Sequence, residues 1–368
     1  MSLRDLVIQS QLIPPRQRRG VLHRPRLRAR LAAVVDYPVT VVQAGTGYGK
    51  STTLSALSDM VDLLCWYTIT EPDRDPLLFL AHLACACERQ EPSWCEPVLR
   101  RLEESGGQVT PEALTPLLNS LTSELDREAV LVLDDYHLVA DVSEIAALVE
   151  RLGDYIPPRL HVVISSRQVP PLAALTRWRV KGDLLTIGRA DLAFTADEIE
   201  LLFREQYGHP LSPQQARALA TETEGWAIVL QMVWQSLESG AVSSLDEILG
   251  QLPSTLEALF DYLAQEVLAR LSPEMQHFLL TTSVLRQMDG PACDHLLGAQ
   301  GSTATLRRLS EEGLFVVSMG DDAYRYHRLF HDFLQAQLDQ DTGQGPALHR
   351  KAADYHHQAG HPEETIYH

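Results

Sequence analysis

The sequence predicts an α/β fold with a mostly parallel sheet, continued by a half that is almost wholly helical. Three observations predict it. Short apolar runs rich in β-branched residues alternate with helical periodicity over residues 37–190, as parallel strands covered on both faces do. A glycine-rich loop joins the first run to a helix. After Ala190 the apolar spacing changes to the helical period and keeps it almost to the end.

The elements follow in order. RLRARLAAVV at 26–35 has helical spacing through Leu27, Leu31 and Val34, and Pro38 breaks it. VTVVQA at 39–44 reads as a buried strand, the glycine loop follows, and Lys50–Met60 resumes as a helix. Leu64–Ile69 is a second strand, and Pro76 opens a helix with Leu77, Leu80, Ala81, Ala84 and Cys87 on one face. Residues 91–112 read as polar and turn-rich, before a helix to Leu125. Ala129–Leu133 is a third strand ending in Asp134–Asp135, followed by a helix over Val142–Leu152. Leu160–Ser165 is a fourth strand and Asp183–Ile187 a short fifth, after a basic run (Arg177, Arg179, Lys181) read as a solvated face.

Thr195 and Glu198 then form a capping box. Helical periods follow near 213–222, 226–238, 255–270, 273–282, 302–312 and 326–338, and Leu314–Ser318 reads as a strand that completes a winged-helix-like unit. The expected organisation is a basic lead-in (1–36), an α/β domain (37–190), a small helical domain (191–250), a winged-helix-like domain (251–340) and the truncated start of a helical repeat region (341–368).

AGTGYGKS at 44–51 has P-loop spacing, with Ala44 in the first glycine position. Gly45, Gly47 and Gly49 allow successive backbone amides to face a β-phosphate. A helix beginning at Lys50 points its positive end at the anion. Lys50 reaches the β- and γ-phosphates, Ser51 helps hold Mg²⁺, and Thr52 belongs to the same binding set. The expected cofactors are therefore ATP or ADP with Mg²⁺. LVLDDYH at 131–137 supplies the second half: Asp134 holds Mg²⁺ through water and Asp135 polarises the attacking water. Arg167, after the fourth strand, is either a γ-phosphate sensor or a solvated loop residue.

At 368 residues the chain has room for two or three domains. A net charge of −18 argues against a nucleic-acid surface spread over the chain. Arg4, Arg16, Arg18, Arg19, Arg24, Arg26, Arg28 and Arg30 stand against Asp5 and Asp36 in the lead-in, without interleaved aromatics. Packing on the nucleotide or on acidic neighbours is favoured over a grip on polyanion, and nothing in the sequence fixes whether Arg24 and Arg26 flank an adenine. Five cysteines exclude a disulfide scaffold and point to a reducing compartment; Cys85-x-Cys87 has no second pair to complete a metal site. With no apolar run approaching roughly 18 residues and no signal-peptide core, a cytoplasmic location without membrane contact is expected.

The chain resembles the STAND class of P-loop NTPases, in particular the MalT-like, LuxR-type ATP-dependent transcriptional regulators of bacteria. QAGTGYGKSTTL at 43–54, LVLDDYH at 131–137 and ISSR at 164–167 are similar to that family's Walker A, Walker B and sensor strings. TEGWAIVLQ at 223–231 is similar to the module whose glycine, here Gly225, lies near the nucleotide. YRYHRLFHDFL at 324–334 is similar to the winged-helix string whose histidine, here His327, contacts the β-phosphate of ADP. AADYHHQAGHPEETIYH resembles the first unit of a tetratricopeptide-like sensor array.

The resemblance implies a switch: a closed ADP monomer, an inducer (small molecule or protein) bound by the array, and an ATP form that self-associates. It implies DNA contact only through a C-terminal helix-turn-helix outside this chain, with the winged helix closing over nucleotide. From the residues alone, Arg167 and His327 would let one γ-phosphate act on two domains; otherwise His327 is a semi-buried histidine among aromatics. Enzyme status stays open between a slow ATPase used as a switch, a fast-turnover ATPase, and a scaffold with structural nucleotide.

Overall fold

The computed structural model describes residues 3–15, 22–88, 94–238, 245, 260–261, 264–265, 268–269, 271–311, 315–320, 322–326, 328–341 and 345–368. The chain divides into two compact units, Met1–Ala193 and Phe194–His368.

In the first unit, β1 (Val39–Gln43), β2 (Leu63–Thr68), β3 (Ala129–Asp134), β4 (Leu160–Ser166) and β5 (Leu184–Ile187) form a sheet in the order β2-β3-β4-β1-β5. Every pairing in it is parallel. Val39, Val41, Cys65, Tyr67, Leu131, Leu133, Val162 and Ile164 share one buried face. Their neighbours Val42, Trp66, Val130, Val132 and Val163 are also buried. Successive side chains point to opposite faces, so burial of both sets means that both faces are covered. This is why the strands read as continuous apolar runs rather than alternations.

Helices α1 (Pro25–Ala32), α2 (Lys50–Ser55), α3 (Pro76–Glu88), α4 (Glu96–Glu104), α5 (Thr115–Glu124), α6 (Ser143–Asp154), α7 (Ala174–Lys181) and α8 (Arg189–Leu192) belong to this unit. Two differ from expectation. The stretch read as turn-rich contains α4, whose Val98, Leu99 and Leu102 are buried; charged residues on its outer face hid a narrow apolar stripe. The basic run before β5 forms a helix that was not foreseen, α7, which keeps Arg177, Arg179 and Lys181 exposed, as expected, and buries Leu175 and Trp178.

Of the described lead-in arginines, Arg24 is buried, and Arg24, Arg26 and Arg30 reach carbonyls of the same unit. Arg24 donates to the carbonyls of Leu192 and Ala193 at 2.9 and 2.8 Å, and Arg26 to that of Ala193 at 2.8 Å. Arg30 donates to the Thr186 carbonyl at 2.9 Å and pairs with Asp191 at 3.3 Å. The partners of Arg24, Arg26 and Arg30 thus include backbone carbonyls near the end of the unit and the acidic Asp191. Carbonyls past a helix end lack intrahelical donors, and guanidinium supplies them.

In the second unit, α9 (Ala196–Glu205) starts on the Thr195–Glu198 capping box, and α10 (Pro213–Thr223) and α11 (Ala227–Glu238) follow. Helices Pro273–Thr282, Gly290–Leu297 and Ser302–Glu311 precede a hairpin of β6 (Val316–Gly320) and β7 (Ala323–Tyr326), and helix Arg328–Asp341 follows it. A bridge between Met288 and Tyr324 adds a third strand-like segment. The sequence reading expected one strand here and missed β7, whose four residues are too few for a period to register. It also missed helix Gly290–Leu297, which Asp289 caps by accepting from the Ala292 amide at 2.7 Å. Most of the helix expected over 255–270 lies outside the described residues. Helices Gly345–Ala359 and Pro362–Tyr367 form a closing hairpin turned at Gly360.

Gly225 joins α10 to α11 with φ +66°, and a Cβ there would lie 2.3 Å from the Phe194 carbonyl oxygen. The Phe194 amide donates to the Gly225 carbonyl at 2.9 Å. Gly225→Ala should therefore destabilise the second unit by more than the ~1–3 kcal/mol of a strained φ alone. Gly298→Ala, with φ +65° and nothing within 4 Å, should show the φ cost only. Equal losses for the two in urea denaturation would contradict the close-approach account.

Candidate functional site

The site is assembled at the carboxyl edge of the parallel sheet. Gln43 at the end of β1 is in register with Ser166 of β4, and the Ala44 amide donates to the Ser166 carbonyl at 3.3 Å. The loop after β1 and Arg167 after β4 therefore leave the sheet side by side. On the other side of β4 lies β3, which ends in Asp134. Crevices at the carboxyl ends of strands, where the order switches, are the usual ligand positions in open α/β sheets.

The loop turns through Gly47 (φ +82°) and Gly49 (φ +77°). A Cβ at Gly49 would meet nothing within 4 Å, so its requirement is the left-handed backbone and not space. At Gly45 a Cβ would meet only Tyr48, at 3.9 Å, an ordinary contact. Gly49 caps α2, which runs only from Lys50 to Ser55 before tightening into a 3-10 turn over Ala56–Asp59. The single helix expected over Lys50–Met60 is thus broken in two. A dipole built from so few peptides is small, and the unpaired amides of the first turn are the stronger anion-directed feature.

Lys50 is 7% exposed. Its ammonium donates to the carbonyls of Ala44 at 2.8 Å and Gly45 at 3.1 Å. Burial lowers its pKa, the charges of Asp135 and Asp134 hold it up, and Arg167 pulls it down again. Asp134 is 2% exposed. Burial pushes its pKa up to about 6 and the charge of Asp135 acts in the same direction, against the Ser51 and Ser165 hydroxyls and Lys50. Its Oδ1 accepts from the Asp135 amide at 3.1 Å. Lys50, Ser51, Asp134, Asp135 and Arg167, chosen from three separate strings, thus form one electrostatic group. Ser51 is half-buried and Thr52 exposed.

Asp135 has φ +59°, left-handed for a residue with a side chain. Asp tolerates this region better than most, and such outliers cluster at functional positions. His137 Nδ1 lies 3.8 Å from its carboxylate. The sequence reading gave no role to Tyr48, which is buried with the Arg189 guanidinium 5.4 Å above its ring. It read Ser165 only as part of the sensor string with Ser166 and Arg167, and did not foresee its hydroxyl beside Asp134. Both contacts join residues distant in sequence, and no local pattern announces them. Gly225 belongs to the second unit, and His327 lies outside the described residues.

Among the described residues Cys85 and Cys87 gather no metal set. All five cysteines are buried, with Cys85 and Cys95 sulfurs 2.9 Å apart. No helix among the described residues is long and apolar enough to cross a membrane.

The raised Asp134 pKa predicts a pH dependence. Between its ordinary value of 3.8 and about 6, the folded chain binds the proton that the unfolded chain has released, so stability falls as pH rises through that window. Asp134→Asn in chelator-treated protein should gain stability relative to the parent at pH 7 and not at pH 4. The same difference at both pH values in urea titrations would contradict the buried-carboxyl account.

Comparison with known proteins places this geometry. The chain is 32% identical over 369 residues to the HTH-type transcriptional regulator MalT of Serratia proteamaculans (strain 568), covering 99% of this chain and 40% of that protein. The MalT regulator of Cronobacter sakazakii is 30% identical over 374 residues, with the same coverage. The chain thus spans 40% of the length of these relatives. A solved STAND protein with a tetratricopeptide repeat sensor from Pyrococcus horikoshii superposes with a TM-score of 0.66 at 15% identity, over 96% of this chain and 48% of that one. That likeness concerns the fold.

The MalT winged helix domain family matches residues 264–345. This corrects the expectation that DNA is reached only through a C-terminal helix-turn-helix outside the chain: a winged helix domain is already present, so DNA contact does not depend solely on a missing domain. That expectation followed from the resemblance, which gave the winged helix the role of closing over nucleotide. Here Ser302–Glu311 carries Arg307 and Arg308, and β7 carries Arg325. Along its length the chain is similar to MalT regulators over 40% of theirs, its residues 264–345 match the MalT winged helix domain, and its fold is like that of the STAND protein from Pyrococcus horikoshii.

Proposed function

We propose that this chain is the nucleotide-operated regulatory module of a LuxR-type bacterial transcriptional activator, acting in the cytoplasm. It holds ATP or ADP with Mg²⁺, hydrolyses ATP slowly, and changes its self-association with the nucleotide held. The observation that carries the reading is the convergence of Lys50, Asp134, Asp135 and Arg167 at one sheet edge, coupled through their charges.

The donor set fits the group. An ammonium offers three donors, and the Ala44 and Gly45 carbonyls take two from Lys50, so capacity for an anion remains. A buried carboxyl held at about 6 beside the Ser51 hydroxyl is one that a divalent cation would convert to its charged form. When bound, Mg–ATP supplies a transferable phosphoryl group and a cation that neutralises its oxygens. Gly45, Gly47, Gly49 and Thr52 are assigned to the phosphates, Lys50 to their charge, and Ser51 with Asp134 to Mg²⁺. Asp135 orients the attacking water, and Arg167 is the γ-phosphate contact. Gly225 and His327 are assigned as nucleotide contacts from the second unit on the motif resemblance alone.

A switch moved from 1:99 to 99:1 needs about 5.5 kcal/mol of differential binding. A hydrogen bond to a charged group contributes about 1.5–3 kcal/mol, so two or three contacts made only with one nucleotide suffice.

Lys50→Ala should abolish measurable ATP and ADP binding by calorimetry, and unchanged affinity would remove the phosphate cradle. Asp135→Asn should keep affinity but lower single-turnover hydrolysis; turnover equal to the parent would reject that assignment. The purified chain should release stoichiometric ADP on denaturation. Steady turnover at about 1 s⁻¹ or faster would instead identify a working ATPase.

A further inference from the structure

We propose that His356, Glu364 and His368 form a zinc-type divalent metal site that clasps the helical hairpin Gly345–Ala359 and Pro362–Tyr367. Their ligand atoms all lie within 4.8 Å of one another. His356 comes from the first helix. Glu364 lies on the second, and His368 follows it four residues on, an i, i+4 spacing that puts both on one face.

The two imidazoles are already oriented as ligands. His356 Nδ1 meets His361 Nδ1 at 3.5 Å, and His368 Nδ1 meets His349 Nδ1 at 3.0 Å. Both Nε2 atoms are buried and have no hydrogen-bond partner among the described residues. His356 itself is only 6% exposed. Metal-bound histidines characteristically donate their other ring N–H to a fixed acceptor, and the outer imidazoles of His361 and His349 stand where that acceptor belongs. A metal on each Nε2 requires the proton on each Nδ1, the tautomer these contacts accommodate.

The third ligand is held as well. Arg286 donates to Glu364 Oε1 at 2.9 Å, which leaves the other carboxylate oxygen for a cation. Without a ligand, each buried nitrogen is desolvated with no hydrogen bond in return. Two imidazoles and a carboxylate are the donors of open zinc sites, with bonds of about 2.0–2.2 Å. Tetrahedral ligands then stand about 3.3 Å apart, so closure asks for a shift of roughly 1 Å, within the reach of side-chain rotation.

The test uses the full 368-residue chain without a histidine tag, stripped with chelator and titrated with Co²⁺ and Zn²⁺. The expected result is one equivalent of zinc by calorimetry, a cobalt visible band, and a rise in melting temperature with zinc. His356→Gln and His368→Gln should each remove all three. His349→Phe, which removes an outer acceptor, should weaken zinc about 10–100-fold. The chain holds 14 histidines, so binding that survives unchanged in both glutamine variants would place the metal elsewhere and overturn the proposal, as would no cobalt band in the parent. If those variants fail to fold by circular dichroism, Glu364→Gln decides. Weakened binding supports the site, and unchanged binding rejects it.

Discussion

The parallel register of β4 between β1 and β3 is the constraint on which the candidate site depends. Gln43 opposite Ser166 and Leu133 opposite Ile164 bring three chain segments to one edge of the sheet. A slip of one residue in either pairing would send alternate side chains to the other face, and Asp134 would no longer stand beside Ser51 and Ser165. Register here is strongly specified, because both faces of these strands are buried in apolar contacts. The chemistry of the edge therefore inherits its precision from a core that contains none of the reactive groups.

That edge stores opposed charges at little exposure. Lys50 and Asp134 are each less than a tenth exposed, where charge is costly unless paired. Lys50 is satisfied by loop carbonyls and by the two aspartates, while Asp134 is held near protonation by burial and by Asp135. Groups so balanced respond strongly to an added anion or divalent cation, since either changes the sign of the local field. An unusual backbone accompanies this: Asp135 sits left-handed after a strand. The surrounding sheet over-determines that conformation.

The second unit is built by different means. Capping and close backbone approach position its elements: Thr195 and Ser212 cap α9 and α10, and Gly225 lies flat against Phe194. Its winged helix domain is held by an apolar centre that includes Leu306, Val316, Tyr326 and Phe330. Helix Ser302–Glu311 and strand β7 of that domain carry Arg307, Arg308 and Arg325. The clustered histidines of the closing hairpin stand apart from that centre as a polar exception, with two ring nitrogens unpaired among the described residues.

Much of this was legible in the linear chain. Each strand of the parallel sheet, the loop at 44–51, the Asp134–Asp135 pair and the Thr195–Glu198 cap are local signals: continuous apolar runs, fixed spacings and short capping strings. The sequence by itself therefore determined the fold class and nominated the residues of the edge. What it could not supply was adjacency. The strand order, the reach of Arg24 and Arg26 to carbonyls at 190–193, the partnership of Tyr48 with Arg189, and the meeting of His356, Glu364 and His368 were decided only by tertiary structure. The short β7 and the masked stripe of α4 were missed because too few residues carried each period. Periodicity is a property of neighbours along a chain, whereas burial, pKa and ligand geometry belong to neighbours in space, brought together only by packing.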